Sequence, residues 1–410
     1  MSERLYVATR KGLFVLAHVP GGSPAWQFTA EHFLGEPVTM VLADPRNGAL
    51  HAALNLGHFG VKMRRSHDGG TSWHEYPAPA YPPQPETAPA SASGSASASG
   101  SASASAPAPT GAATASAGDG DTPAPQAPAA PASQAAPWTL AQVWSLEAGG
   151  ADEAGVLWAG TIPGGLFRSP DGGDSWELVR SLWDRPERAE WFGGGYDQPG
   201  IHSICVDPRA SSRVTVGVSC GGLWQTADGG QSWACRATGM RADYMPAERR
   251  GDPNIQDPHR LVQSPANPDV LWVQHHCGIY RSSDGAASWH ACHAKPSSFG
   301  FALATHPQDA DTAWFVPAVK DECRVPVNAR LVVTRTRNGG KSFETLATGL
   351  PRGHAYDLVY RHGLAVDEHG DTLAMGSTTG SLWISEDGGD SWHCLSSHLP
   401  PIYCVRFAAA

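Results

Sequence analysis

Residues 169–176 read Ser-Pro-Asp-Gly-Gly-Asp-Ser-Trp, and similar octapeptides begin at Ser66, Thr226, Ser282, Thr336 and Ser385. All six keep a hydroxyl residue first, Asp or Asn third, Gly fourth, Ser seventh and an aromatic ring last. An Asp carboxylate can accept backbone N–H groups across a tight turn, and glycine adopts positive φ without a Cβ penalty. Each copy therefore predicts a hairpin whose final ring packs between neighbouring sheets.

Apolar segments of strand character precede the octapeptides, for example Gly165-Leu-Phe167 and Gly222-Leu-Trp224. Where insertions are absent, the repeat recurs roughly every 50 residues, which is enough for four short strands. A seventh unit lacks the octapeptide but keeps its flanks in Lys11-Gly-Leu-Phe14 and in Trp26. The repeats thus predict an all-β chain in which residues 1–410 form a single seven-bladed β-propeller.

The two ends of the chain are predicted to share the first blade. Leu5 to Thr9 reads as the second strand of a unit, whereas Ile402 to Phe407 is an apolar strand without a unit of its own. Pairing of these two segments would close the ring and remove both exposed sheet edges.

Residues 77–137 differ from the rest of the chain because they consist almost wholly of Ala, Ser, Pro, Gly and Thr. Such a segment cannot bury enough apolar surface to fold, so we expect disorder. It lies between blades 2 and 3 and loops out of one domain. A tether and an inert expansion are both compatible with this composition.

Composition and charge exclude several classes of function. A formal net charge of -10 argues against nucleic-acid binding, which needs a basic face. No apolar run approaches the ~20 residues of a membrane helix, and no signal-peptide pattern opens the chain. The eight cysteines include no C-x-x-C pair. We therefore expect a cytoplasmic protein without membrane contact, and we assign it no cofactor or metal.

The octapeptides resemble the Asp-box (BNR) repeats of the sialidase-like propellers, and the resemblance covers nearly the whole chain outside the insertion. That superfamily includes sialidases, xyloglucan-degrading glycosidases, sortilin-type receptors and a photosystem II assembly factor. The chain is most similar to bacterial WD40/YVTN/BNR-like repeat proteins labelled exo-sialidase or glycosyl hydrolase. A sialidase site would imply three arginines that hold a carboxylate, a Tyr/Glu pair and an Asp acid. Ala8-Thr9-Arg10-Lys11 stands where those enzymes carry Arg-Ile-Pro, which leaves Arg10 and Arg260 as candidate anion-binding residues.

Insertions indicate which face of the ring is used, because functional loops gather on one side of a scaffold. Nearly all lie between an outer strand and the next inner strand, and another, 317–328, should rise on the same face. The other insertions are 77–137, 180–200, 236–258, 293–299 and 344–360.

Five histidines are predicted to lie on that face. His202, His259 and His362 occupy equivalent positions at the start of inner strands, and His275 and His276 lie in a nearby loop. They could fill polar space at the channel rim, contact a ligand or bind Zn²⁺. The last of these requires convergence on one ion, and only two of the three blades are adjacent.

Acidic and aromatic residues of the 180–200 insertion are candidates for catalysis. Glu190 and Asp197 could form an acid/base pair, with Tyr196 as nucleophile if the chemistry resembles that of a sialidase. Our main hypothesis is a binding propeller whose loop face recognises a glycan, a small molecule or a protein. The alternative is a glycoside hydrolase, exo-sialidase-like, with an atypical active site.

Overall fold

The computed structural model describes residues 4–84 and 138–408. Its described strands form seven four-stranded antiparallel sheets, and it contains almost no helix. Residues 1–81 and 139–410 make up one compact unit, and that unit is the predicted all-β, seven-bladed propeller. In every blade after the first, strand order follows chain order from the centre outward.

The strands are numbered β1 to β28 in chain order, and blade 1 comprises β28 followed by β1 to β3. Blades 1 to 3 contain β1 Arg4–Thr9, β2 Gly12–His18, β3 Trp26–His32, β4 Val38–Ala43, β5 Leu50–Asn55, β6 Val61–Ser66, β7 His74–Tyr76, β8 Gln142–Ala148, β9 Leu157–Ile162, β10 Leu166–Ser169 and β11 Glu177–Leu178. Blades 4 and 5 contain β12 Ile201–Val206, β13 Val214–Val218, β14 Gly222–Thr226, β15 Ala234–Cys235, β16 Pro258–Gln263, β17 Leu271–His275, β18 Gly278–Ser282 and β19 His290–Cys292. Blades 6 and 7 and the closing strand are β20 Gly300–Thr305, β21 Ala313–Pro317, β22 Val333–Thr336, β23 Glu344–Leu346, β24 Leu364–Val366, β25 Leu373–Gly376, β26 Leu382–Ser385, β27 His393–Ser396 and β28 Ile402–Phe407.

Helical segments are few and short in the described part of the chain. They are the α-helix Arg180–Trp183 and the 3-10 turns Gly57–Phe59, Pro186–Glu190, Pro253–Ile255 and Val327–Ala329. None of these is long and apolar enough to cross a membrane.

The ring closes through the last strand, as predicted. β28 pairs antiparallel with β1, and Val405 faces Val7 in the register. Both residues are buried, together with Leu5 and Ile402, in a cluster that joins blades 1 and 7. Closure therefore rests on apolar packing as well as on backbone pairing.

Each octapeptide folds as a hydrogen-bonded turn, as the copy in blade 2 illustrates. Ser72 donates to Asp68 Oδ1 through its backbone N–H at 2.9 Å and to Oδ2 through its hydroxyl at 2.6 Å. Gly70 N–H donates to Ser66 Oγ at 2.8 Å, and Gly69 and Gly70 both have positive φ. These hydrogen bonds, chiefly those from Ser72, hold the pKa of Asp68 well below its usual range.

The terminal tryptophans link each blade to the preceding one. Trp289 of blade 5 is 2% exposed, and its Nε1 donates to Arg236 O at 2.7 Å in the connection that leaves blade 4. Trp233 is buried in the same way, with Nε1 3.2 Å from Ser181 Oγ. The repeat thus makes the turn inside a blade and the contact between blades.

The antiparallel order divides the ring into two ends. Turns between first and second strands and the octapeptide hairpins lie where the inner strands finish, and we call this the hairpin end. Connections from outer to inner strands, and the loop 317–328, lie where the inner strands begin, and we call this the loop end. The sequence prediction that the insertions share one end agrees with this topology.

The boundary of the predicted disordered insertion needs a correction, because residues 77–81 belong to the propeller unit. The Pro77 carbonyl accepts a 2.9 Å hydrogen bond from Trp176 Nε1. Tyr81 is 7% exposed and its hydroxyl contacts Thr161 and the Pro163 carbonyl. A single large ring in an otherwise small-residue segment anchors it here. Residues 85–137 lie outside the described part of the chain, so the expected disorder stays a prediction.

Candidate functional site

A cavity of about 790 Å³ lies at the loop end of the ring. It is bounded by the starts of inner strands and by the insertions 180–200, 317–328 and 344–360. The polar and aromatic side chains that line it are Arg10, Glu36, Thr39, Asn55, Phe59, Gln142, Trp144, Tyr196, Arg324, Tyr360, Arg361, His362 and Tyr403. This volume is in the range of small-molecule sites.

Arg361 is the most unusual of these residues, because it is 6% exposed and forms no ion pair with any described residue. Its guanidinium lies 4.5 Å from the centre of the Trp144 ring and 5.5 Å from that of Phe301. Nε and Nη2 lack hydrogen-bond partners in the described structure. Burial lowers the pKa of Arg361 to about 10, so the group stays charged at neutral pH. A buried charge without a counter-ion is costly unless a ligand supplies one.

Two further arginines line the same cavity with different partners. Arg324, from the 317–328 loop, binds the Asp321 carboxylate through Nε at 2.9 Å. Arg10 is exposed in the turn between β1 and β2 and has no carboxylate within ion-pair distance among the described residues. The cavity therefore carries more positive than negative side chains, since Glu36 is the one carboxylate among the described lining residues.

Aromatic rings form the remaining wall. Tyr196 packs edge-on to Trp144 at 5.2 Å, and its hydroxyl donates to Gln142 Oε1 at 3.1 Å. Burial raises the pKa of Tyr196, which keeps the phenol protonated at neutral pH. Tyr360 and Tyr403 complete the set. Such rings bury the apolar faces of ring-shaped ligands while their hydroxyls form hydrogen bonds.

The three histidines aligned in the sequence are all buried, but they do not converge on one point. His362 lines the cavity, and its Nδ1 accepts from Arg260 Nη1 at 2.8 Å. His202 packs against Trp144 at 5.5 Å, and its Nδ1 contacts Ser203 Oγ. His259 lies apart from these two, in a cluster around Asp257. The structure thus does not assemble His202, His259 and His362 into a single ligand set.

Arg260 and Arg10, the two predicted anion-binding residues, lie at different ends of the channel. Arg260 lines a second cavity, also about 790 Å³, at the hairpin end. His362 borders both cavities. A single ligand in the loop-end cavity therefore contacts Arg10 but not Arg260.

Asp257, next to β16, is the centre of a buried polar cluster. Its Oδ2 lies 3.4 Å from His259 Nε2 and 3.3 Å from His276 Nδ1. The Asp257 N–H donates to His275 Nε2 at 3.0 Å, and Cys220 N–H donates to its Oδ1 at 3.2 Å. Burial lowers the pKa of His275 to about 3, so this ring is neutral. The loop histidines predicted from sequence thus gather around a carboxylate rather than around the channel axis.

The predicted catalytic pair is not brought together. Glu190 forms a 2.6 Å ion pair with Arg249 and does not line the cavity. Asp197 is exposed and also lies outside the lining, whereas its neighbour Tyr196 is part of it. Of the three proposed catalytic residues, only Tyr196 faces the cavity.

Sequence reasoning missed Glu36, Arg324, Tyr360, Arg361 and Tyr403 as lining residues. Arg361 directly precedes His362, so the alignment that selected the histidine could also have selected the arginine. Arg324 belongs to an insertion already assigned to this end. No sequence feature marked Tyr403 and Glu36 as lining residues, because neither belongs to an insertion or to the repeated pattern.

No family model matches the chain. It is 25% identical over 258 residues to xyloglucanase Xgh74A of Acetivibrio thermocellus, which covers 56% of this chain and 28% of that protein. A xyloglucanase of Paenibacillus sp. is 25% identical over 267 residues, or 56% of this chain and 23% of its own length. The chain thus spans less than a third of the length of these relatives. An ancestral GH74 enzyme superposes with a TM-score of 0.53 at 15% identity, over 87% of this chain and 38% of that one.

These similarities support the propeller architecture and a likeness to propeller glycosidases. The sequence similarity to the xyloglucanases supports the glycoside hydrolase alternative better than the binding-only hypothesis, and the superposition supports the fold alone. The narrower sialidase-like resemblance and the cytoplasmic location stay predictions.

Proposed function

We propose that the protein is a propeller glycoside hydrolase that takes a carboxylate-bearing saccharide into its loop-end cavity. The observation that carries this proposal is Arg361, a buried guanidinium that lines the cavity and forms no ion pair with any described residue. A ligand carboxylate in the cavity would supply a counter-ion, and arginine is well suited to bind carboxylates.

A sugar ring suits the rest of the cavity. Trp144 and Tyr196 offer ring faces and edges, and Gln142, Asn55 and Thr39 offer polar groups for hydroxyls. The similarity to xyloglucanases adds a glycan context, although those relatives share only a quarter of the aligned residues. The carboxylate requirement comes from the arginines of this chain.

The chemistry would rest on Glu36 and a tyrosine. Most glycosidases use two carboxylates, but a Tyr nucleophile replaces one of them in sialidases. Glu36 is the described carboxylate of the cavity, and it is partly buried without an ion pair to any described residue. We assign Tyr196 the nucleophile role: its phenol oxygen would attack the anomeric carbon as the bond to the leaving-group oxygen breaks. Glu36 would take the phenol proton and deliver a proton to that leaving-group oxygen, while Arg361 holds the substrate carboxylate.

The test is a turnover screen of chromogenic α-sialosides, β-glucuronides and neutral β-glucosides. Glu36→Gln and Tyr196→Phe should abolish turnover of an acidic substrate and leave the fold intact by circular dichroism. Glu190→Gln is the matched control. It is the same chemical change as Glu36→Gln, but Glu190 lies outside the cavity in an ion pair with Arg249. Loss of turnover in Glu190→Gln but not in Glu36→Gln would contradict the assignment.

Binding without hydrolysis is the second candidate, and the presence of one carboxylate among the described lining residues favours it. In that case calorimetry would detect an acidic sugar bound by the wild type with no product released. Preference for neutral over acidic sugars in both assays would contradict the proposal that the ligand carries a carboxylate.

A further inference from the structure

Asp257, His259 and His276 form a cluster in blade 5 that the proposed reaction does not use. Asp257 directly precedes β16, His259 is the second residue of that strand, and His276 lies in the turn after β17. A 2.9 Å hydrogen bond from His276 N–H to the Asp257 carbonyl joins the turn to the strand. The three side chains are thus held on a paired hairpin.

The separations within the cluster suit a small cation. Asp257 Oδ2 lies 3.4 Å from His259 Nε2 and 3.3 Å from His276 Nδ1, and the three ligand atoms lie within 4.8 Å of one another. Tetrahedral Zn²⁺ with bonds of about 2.0–2.1 Å keeps its ligand atoms roughly 3.4 Å apart. Two of the three separations already have this value, and the third is at most 4.8 Å.

The hydrogen bonding of His259 points to the same ion. Its Nδ1 lies 2.7 Å from the Gly300 carbonyl, which can only accept, so the proton is on Nδ1. In the neutral ring, Nε2 presents a lone pair to Asp257 Oδ2 at 3.4 Å, and a cation between the two atoms would bind both. Histidines that bind a metal through one ring nitrogen usually donate the N–H of the other nitrogen to a carbonyl or carboxylate, as His259 Nδ1 does here.

We propose that Asp257, His259 and His276 bind one divalent transition metal ion, with Zn²⁺ as the best fit. Two imidazoles and one carboxylate are ligands that Zn²⁺ accepts, and three protein ligands leave a position for water or a substrate atom. Asp257 and His259 are 3% and 2% exposed, whereas the His276 side chain is 23% exposed. The ion would therefore enter from the His276 side.

The site adjoins the loop-end cavity. Gly194 lines that cavity, and a Cβ added to it would lie 3.3 Å from Asp257 Oδ1. Gly194 therefore lies between the cavity and the Asp257 carboxylate. This location does not depend on the proposed glycosidase function, and the test below needs no sugar.

The experiment is a titration of the full chain, stripped with EDTA, with Zn²⁺ alone by calorimetry, and with Co²⁺ by visible absorption. We expect one equivalent of Zn²⁺ bound at micromolar concentration or tighter, and a Co²⁺ spectrum typical of low coordination number. His276→Gln should weaken binding by at least tenfold, because it removes the most accessible ligand. His290→Gln is the control, since His290 is an exposed histidine on β19 of the same blade.

A second variant guards against a folding artefact. Asp257→Asn keeps the side-chain volume and should also abolish binding, and thermal melting without metal shows whether each variant is folded. Zn²⁺ should raise the melting temperature of the wild type and of His290→Gln but not of His276→Gln. Absence of binding to the folded wild type, or equal binding by His276→Gln, overturns the proposal and leaves a protonated His276 as the cation of the cluster.

Discussion

Replacement of Arg361 by methionine should separate ligand binding from stability. Methionine keeps much of the length of the side chain but removes the charge that faces the cavity. A hydrogen bond to a charged group contributes about 1.5–3 kcal/mol, which corresponds to a loss of affinity of about 10- to 150-fold. We therefore expect Arg361→Met to weaken binding of an acidic sugar by that factor while binding of a neutral analogue stays the same.

The free protein should not suffer from the same change. The variant loses the contact with Trp144, worth about 1–2 kcal/mol, but it also removes a buried charge whose desolvation costs several kcal/mol. The melting temperature should then stay the same or rise. Arg335→Met is the matched control, because Arg335 is as deeply buried but pairs with Glu344 and Asp390 at 2.6 and 2.7 Å. That control should lower stability by about 2 kcal/mol and leave sugar affinity intact.

Calorimetry with free N-acetylneuraminate or glucuronate, together with thermal melting, measures both effects. Unchanged affinity in Arg361→Met would remove the main support for the proposed ligand. A fall in its melting temperature as large as that of Arg335→Met would show that the residue is structural.

Three further predictions concern the fold. Burial lowers the pKa of His51 to about 4, below the 6.5 of the unfolded chain, so unfolding takes up protons and up to about 3 kcal/mol of stability is lost as pH falls from 6.5 to 4. The urea midpoint should therefore depend less on pH in His51→Asn than in the wild type, and the same pH dependence in both proteins would contradict this. Ile402→Ala, in the closing strand, should cost about 2–5 kcal/mol in the same denaturation assay, and a loss below 1 kcal/mol would deny that the seam stabilises the ring. Gly380→Ala should lower the melting temperature far more than Gly35→Ala, because both have φ near +90° but only at Gly380 would the new Cβ lie 1.8 Å from the Leu399 carbonyl; equal shifts would assign the cost to φ alone.

The fold was predictable because the same local solution is repeated along the chain. A turn such as that of Asp68 and Ser72 is specified within eight residues and needs no distant partner. Ring closure was also readable, since Ile402 to Phe407 is an apolar strand left without a unit. The boundary at Pro77 was wrong because Tyr81 is anchored by Thr161 and Pro163, and no local pattern reveals a contact across 80 residues.

The site was less predictable because it is assembled by the ring and not by any one repeat. Glu36, Tyr196, Arg324, Arg361 and Tyr403 come from the ends of different blades, and only closure brings them to one cavity. Alignment within the repeat could show that Arg361 and His362 begin an inner strand. It could not show that Glu190 is held away by Arg249, since that ion pair joins two insertions of unrelated sequence.

The deeply buried arginines Arg335 and Arg361 differ in charge pairing, and this difference is a physical argument for where the protein acts. At the hairpin end, Asp207 is paired with Arg209, and buried Arg335 with Glu344 and Asp390. At the loop end, Arg361 is equally buried but has no counter-ion among the described residues. The closed ring tolerates such a local cost because its stability is distributed over seven blades and their interfaces. Sites that break local rules in an otherwise consistent fold are where function is expected, and the loop end is therefore where substitutions should reduce binding before they reduce stability.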